Sequence, residues 1–364
     1  MIGRLKVLAK NTLAIPLVRR VFEGGNRAIL TVVGSHRLPA TAYSLPAFLT
    51  FNREQFAVLA GRRAYYRRLS TSRNTHVELR RNIHRLEKGM SMQPRRPVFA
   101  VDYIAETVDF YRVAVTEGPK GRLIDPIELL WAREVLTEYF DVIAPGDPVV
   151  DRARDRFAAV PKPEGETNGI PMRPYPQRDI KPSDITFEQL LALAKQRRSV
   201  RWFEHRPVPR ELLDQALQVA RESPTACNRL PYEFLIFDDP ELVKKVASIP
   251  FGTAGYSHQI PAIVVVKGNL DSYFSPRDRH AIYIDSSLAT MGFLYALETL
   301  GLSSSVINWP DFEPLEMKMA RALGLQPHER VICLIAVGYA DRDALVASSP
   351  KKSLDVLRRF NVAK

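Results

Sequence analysis

The spacing of apolar positions changes character at the middle of the chain. Before Val160 the pattern is mostly helical and rich in arginine, whereas after Pro182 helical and strand periods alternate. Ser183 or Asp184 can cap a helix running to about Gln196, with Leu190, Leu191 and Leu193 among its apolar positions. A second helix follows Pro209 through about Arg221. Glu233 to Asp238, Ala262 to Lys267 and Val331 to Gly338 read as strands. Ser286 to Leu300 is apolar almost all round, which predicts a buried helix, and Gly301 supplies its stop.

Between Val160 and Pro182 lie Pro161, Pro163, Pro171, Pro174, Pro176 and Pro182, with Gly165 and Gly169 among them. Proline has no backbone donor, so neither a helix nor a central strand runs through this stretch. The predicted organisation is a helical, basic region over residues 1–160, a linker over 161–182 and a second domain over 183–364. A chain of 364 residues is long enough for one large domain or two ordinary ones. No apolar run approaches the roughly 18 residues that span a bilayer. Cys227 and Cys333 are the only cysteines and have no metal-ligand spacing. Neither a disulfide scaffold nor a metal site is indicated, and a reducing cytoplasm fits best.

The net charge of +12 is concentrated at one end. Residues 1–96 hold 19 Lys and Arg against 4 Asp and Glu, while residues 97–180 hold 10 against 15. Such a field draws in anionic surfaces or substrates. No zinc finger, RNA-binding signature or glycine-rich basic tail accompanies it, so specific nucleic-acid binding has no sequence support. The first twenty residues interleave Arg4, Lys6, Lys10, Arg19 and Arg20 with Leu5, Leu8, Leu13, Ile15 and Leu17. That pattern suits peripheral contact with an anionic membrane face, or an arm folded on the domain.

The most pointed chemistry is Arg197-Arg198-Ser199-Val200-Arg201, at the end of the first predicted helix of the second half. Three permanently charged donor forks and a hydroxyl can enclose a phosphate. The helix C-terminus gathers cations, and the cations attract the anion. No Gly-x-Gly-x-x-Gly turn follows a strand and no Walker loop occurs, so a nucleotide-type cofactor must be held by side chains and loop amides.

Four further segments follow in order: Ser223-Pro224-Thr225-Ala226-Cys227-Asn228-Arg229-Leu230-Pro231-Tyr232, Leu300-Gly301-Leu302, Gly338-Tyr339 and Pro350-Lys351-Lys352-Ser353. Together with the pentad they resemble the nitroreductase family of flavin enzymes over about residues 184–361. The resemblance implies an α+β fold with three layers, a central, mainly antiparallel sheet flanked by helices, and FMN at a homodimer interface. It also implies two-electron transfer from NADH or NADPH to a small-molecule acceptor. On that resemblance Arg197, Arg198, Ser199 and Arg201 hold the FMN phosphate and ribityl chain, and Lys351 or Lys352 returns to the phosphate. Asn228 faces the ring or ribityl, Pro231 shapes the loop, and Ile307 and Asn308 supply a backbone wall and a donor near the reactive nitrogen. The sequence departs from the pattern at Leu230, where many members have Gln, at the bulky Arg229, and at Asn308, which replaces an acid seen in some members. These three bear on the second substrate.

In the first half Arg80, His84 and Lys88 share a helix face at i, i+4 spacing, opposite Ile83, Leu86 and Met90. This strip is expected to join the roof of the active site, with His84, Lys88 and Arg229 as candidate substrate contacts. His84-Arg85-Leu86-Glu87-Lys88-Gly89 resembles an element of nitroreductase-like proteins from bacterial polysaccharide clusters, which implies a glycan-pathway acceptor. A competing reading is a flavin- or anion-binding scaffold without turnover in a membrane-associated glycan assembly.

Overall fold

The computed structural model describes residues 16–44, 48–71, 76–116, 125–165 and 172–362. The chain forms two compact units, Met1–Phe56 with Asp311–Pro314, and Ala57–Pro310 with Leu315–Lys364. The smaller unit holds α1 (Pro16–Val33), α2 (Arg37–Ser44) and the start of α3 (Phe48–Thr71). Within it Arg53 Nε lies 2.6 Å from Glu313. Most of the arm expected to touch a membrane, residues 1–15, lies outside the described residues. No described helix is long and apolar enough to cross a bilayer.

The larger unit begins with the rest of α3 and continues through α4 (His76–Met90), α5 (Ile104–Thr116), α6 (Pro126–Val142) and α7 (Pro148–Ala158). The last two start at Asp-Pro. Proline's missing N–H costs nothing at the first helical position, and the preceding carboxylate caps the next free donors. Asp125 accepts from Ile127 N at 3.0 Å, and Asp147 from Val149 N and Val150 N at 2.9 and 3.1 Å. Leu79, Ile83, Leu86, Tyr111, Leu136 and Tyr139 form a fully buried core between these helices. From Val160 to Pro182 the described residues form only one short 3-10 turn, Gln177–Asp179.

The remaining elements are α8 (Phe187–Gln196), α9 (Arg210–Arg221), β1 (Tyr232–Phe237), α10 (Pro240–Ala247), β2 (Ala262–Asn269), α11 (Ala281–Thr299), β3 (Ser303–Asn308), α12 (Glu313–Leu323), β4 (Glu329–Gly338) and α13 (Leu354–Leu357). The strands form one sheet in the order β1-β2-β4-β3, with every pair antiparallel. Every residue of β2 is buried, which explains its unbroken apolar run. Phe293 and Leu297 of α11 pack beneath β2 and β4 with Val264 and Ile335, and α9 adds Leu213 and Ala216 to the same cluster. The fold is α+β, one antiparallel sheet with helices, preceded by a helical N-terminal region.

Two sequence expectations need correction. Thr186, rather than Ser183 or Asp184, caps α8, and its hydroxyl and backbone N–H exchange hydrogen bonds with Gln189. The apolar residues of α8 are not buried in the single chain, since Phe187 is 71% and Leu190 50% exposed. Likewise α11 is not enclosed all round. Ile284 and Leu288 are exposed, and with half-buried Met291 and Tyr295 they line one helical stripe. Gly301 does stop α11, in the left-handed conformation at φ 76° that glycine adopts without steric cost.

Lys267 sits inside the sheet with its side chain 7% exposed, 3.1 Å from Glu233 and hydrogen-bonded to Glu329. Burial works to raise the Glu329 pKa. Hydrogen bonds from Lys267 and Gln326, and the charges of Lys267 and His328, outweigh it and hold the carboxyl below its ordinary value of 4.5. Lys267→Met is therefore expected to cost about 3 kcal/mol at neutral pH, because it leaves a buried carboxylate unpaired. A depressed carboxyl pKa stabilises the fold above the unfolded value, and that stabilisation is lost as pH falls through the folded value. Urea titrations should show the gap between wild type and K267M narrowing on acidification. A gap independent of pH would contradict the pairing.

Candidate functional site

Helix α8 ends at Gln196 and the chain straightens at Arg197, whose N–H still donates to Leu193 O at 3.1 Å. The following residues run as a short strand against the sheet. Ser199 bridges Ser304 in parallel, Val200 N donates to Ser304 O at 3.0 Å, Phe203 bridges Ala340, and Glu204 N donates to Tyr339 O at 2.9 Å. Val200 and Phe203 are buried, Arg198 and Ser199 are half-buried, and Arg201 is exposed.

Gly338 makes this crossing possible. A Cβ there would lie 2.5 Å from Pro261 Cγ and 2.8 Å from the Phe203 ring. The backbone of Phe203 is also held by Gln259 Oε1, which accepts its N–H at 2.7 Å. The arginines stand on this fixed segment. Arg198 Nη1 donates to Arg197 O at 3.0 Å, and Arg197 faces Glu298, whose carboxyl burial pushes above its ordinary pKa against the Gln196 hydrogen bond and the Arg197 charge. Among the described residues none of Arg197, Arg198 and Arg201 forms a salt bridge. Three guanidinium groups outside any salt bridge among the described residues, with a neighbouring hydroxyl, are a donor set that fits a phosphate monoester.

The second element is the turn Ala226–Asn228 and the residues after it. Cys227, Asn228 and Leu230 adopt φ of 57°, 52° and 49°. Asn tolerates this region, whereas the other two cost about 1–2 kcal/mol each. Such a backbone persists only where its surroundings over-determine it. Five hydrogen bonds do so here. Asn228 N donates to Thr225 O at 3.0 Å, Leu230 N to Thr225 Oγ1 at 3.2 Å, and Ala226 N to Asp285 Oδ2 at 2.9 Å. Arg229 Nη1 donates to Ala226 O at 3.4 Å, and Arg80 Nε to Asn228 O at 2.7 Å.

Asp285 also accepts from the Tyr273 hydroxyl at 3.2 Å. Burial raises its carboxyl pKa, against those donors and the charge of Arg229. The Asn228 side-chain amide is half-buried and has no partner among the described residues. It is the free polar group that this turn offers to a ligand.

The other sequence-predicted residues scatter more widely. Pro231 is buried and its carbonyl accepts from Asn269 N at 2.8 Å. Ile307 is 2% exposed and faces inward against Gly252, while Asn308 at the end of β3 is exposed. Lys351 and Lys352 are exposed and unpartnered among the described residues. Arg229 is 6% exposed and lies 4.9 Å over the Tyr273 ring. His84 is 3.3 Å from Glu87, and Lys88 is exposed. Within one chain, the structure joins the pentad to β3 and Arg80 to the turn. Among the described residues no hydrogen bond or ion pair joins the pentad to the turn, or Lys351 and Lys352 to the pentad.

One residue and one contact were not legible in the sequence. Asp285, which fastens the turn, lies one position before the apolar run taken as the helix. The contact of Arg80 with Asn228 spans 148 positions and leaves no local signal. Strand β3 was also missed, because Ser303-Ser304-Ser305 has no strand composition and is extended by pairing with β4. Burial pushes the Cys333 thiol up to about 11. No cluster of three metal-ligating side chains occurs among the described residues.

Residues 194–254 and 248–339 match the nitroreductase family model. The match lies wholly within the second half of the chain. Iodotyrosine deiodinase 1 of Pongo abelii is 23% identical over 209 residues, covering 50% of this chain and 70% of that protein. A putative NADH dehydrogenase/NAD(P)H nitroreductase of Methanothermobacter thermautotrophicus is 27% identical over 155 residues, covering 41% and 76%. Among solved structures, an FMN-dependent nitroreductase of Clostridium difficile aligns with a TM-score of 0.41 and 20% identity, over 47% of this chain and 99% of that one.

Gly338→Ala is expected to lower stability by about 2 kcal/mol, the usual cost of forcing a methyl into a packed contact. Thermal unfolding measures it. A loss below about 0.5 kcal/mol would show that the Phe203 crossing does not depend on glycine.

Proposed function

We propose that the chain is an FMN-dependent oxidoreductase that passes two electrons from NADH or NADPH to a small-molecule acceptor. The observation that supports this most is the set of guanidinium groups of Arg197, Arg198 and Arg201, outside any salt bridge among the described residues and mounted on a sheet-anchored segment inside the family-matched region. Bound FMN would supply the hydride chemistry, and the protein binds it, orients it and controls access. Arg197, Arg198, Ser199 and Arg201 hold the phosphate end. The unpartnered amide of Asn228 addresses the ring or ribityl, and Asn308, exposed at the end of β3, is the donor on the opposite strand edge.

The working unit is a homodimer. Three apolar surfaces favour it: Phe187 and Leu190 on α8, the Ile284–Leu288 stripe on α11, and a C-terminal segment in which Leu345, Leu354, Val356, Leu357 and Phe360 are all exposed. Large contiguous apolar exposure is the usual mark of a surface that meets a partner. A second copy covering these faces also brings Lys351 and Lys352 toward a phosphate that they do not reach in one chain.

The acceptor is a small molecule of unassigned class. In the strip Arg80-His84-Lys88, Arg80 is engaged by Glu128 and Asn228 and His84 by Glu87, which leaves Lys88 as its free cation. The glycan-pathway acceptor rests on that strip alone. The relatives carry the names iodotyrosine deiodinase 1 and putative NADH dehydrogenase/NAD(P)H nitroreductase, which point to no single acceptor.

Purified protein is expected to be yellow, to elute as a dimer in light scattering, and to be bleached anaerobically by NADH or NADPH and recoloured by an acceptor. Arg198→Ala and Arg201→Ala should each weaken FMN binding about tenfold, the worth of one charge-assisted hydrogen bond. A yellow protein inert to both nicotinamides would favour the scaffold reading, and a colourless protein that refuses added FMN would end both.

A further inference from the structure

The N-terminal helical layer, which lies outside the family-matched residues 194–339, hydrogen-bonds the candidate site through Arg80. Helix α4 packs on the turn Ala226–Asn228, and Arg80 Nε donates to Asn228 O at 2.7 Å. Every other hydrogen bond that fastens this turn comes from within the turn segment itself or from α11.

Arg80 is in turn fixed on several sides. Its Nη1 lies 3.3 Å from Glu128 Oε2, with the two side chains 14% and 9% exposed. Its guanidinium stands 5.3 Å over the Trp131 ring, and Trp131 Nε1 donates to Glu87 Oε1 at 2.9 Å. A planar guanidinium held by a carboxylate and an aromatic face presents its remaining N–H in one direction. That direction is the carbonyl of a residue at φ 52°, whose peptide plane sets where the side chain points.

We propose that Arg80 is a positioning residue for the flavin: it locks the Asn228 peptide so that the unpartnered Asn228 amide is presented for FMN, and the added helical layer thereby controls cofactor affinity. This rests on the FMN reading above. Arg80 itself makes no contact with the cofactor in this account; it acts through Asn228.

The test is FMN affinity of the apoprotein, read by quenching of flavin fluorescence, for wild type, Arg80→Met, Arg80→Lys, Asn228→Ala and the double variant R80M/N228A. R80M is expected to weaken binding about tenfold, the size of a lost hydrogen bond between a cation and a carbonyl. R80K keeps the charge without the fork and should fall between wild type and R80M; it carries the same comparison if R80M does not fold. In the N228A background the R80M effect should shrink to about twofold or less, because the two residues act as one unit. Arg156→Met, which breaks only the exposed pair with Asp109 in the same layer, should leave affinity unchanged.

R80M affinity within twofold of wild type, or an undiminished R80M effect in the N228A background, overturns the proposal while the FMN reading stands. Failure of wild type to bind FMN overturns both.

Discussion

The candidate site depends on a backbone pairing more than on any side chain. The segment from Ser199 to Glu204 is held against the ends of β3 and β4 by hydrogen bonds to Ser304 and Tyr339, in a gap that exists because Gly338 has no side chain. Without that anchorage three adjacent arginines would repel and disperse into solvent. With it, Val200 and Phe203 are buried while Arg198 and Ser199 stay half-buried and Arg201 exposed. The central strands β2 and β4, buried against α11, give the anchorage its rigidity.

The helical first half changes the meaning of the charge excess. Read as composition, the basic residues before position 97 amount to a field for anionic partners. In the structure several of them are used internally. Arg85 stacks 3.5 Å over Tyr103, Arg81 stands 5.2 Å over Phe274, and Arg80 is divided among Glu128, Trp131 and Asn228. Their long stems cover apolar surface while the heads find aromatic faces or carbonyls. Arginine density in this chain therefore records packing between layers as well as external electrostatics.

Local signals carried most of the secondary structure. The Asp-Pro starts of α6 and α7 and the glycine stop of α11 act within one helical turn, and the unbroken apolar run of β2 directly reflects its burial. What sequence could not reveal was nonlocal. Strand β3 is polar and takes its conformation from β4. The cap of α8 is different, since Thr186 and Gln189 form a capping box three residues apart that the sequence does carry. The exposure of Ile284 and Leu288 shows that an apolar helix need not be enclosed by its own chain. At the site the pentad, Asn228 and Arg80 were legible as residue types, whereas Asp285 and the bond from Arg80 to Asn228 were not, since each acts on a turn far away in sequence.

The account turns on the phosphate end of the ligand. Calorimetric titration of the apoprotein with FMN and, separately, with riboflavin isolates that end, because the two differ only by the phosphate. Three guanidinium groups on an anchored strand predict FMN binding at least about 100-fold tighter than riboflavin. Equal affinities for the two would contradict the assignment of Arg197, Arg198, Ser199 and Arg201 to the phosphate.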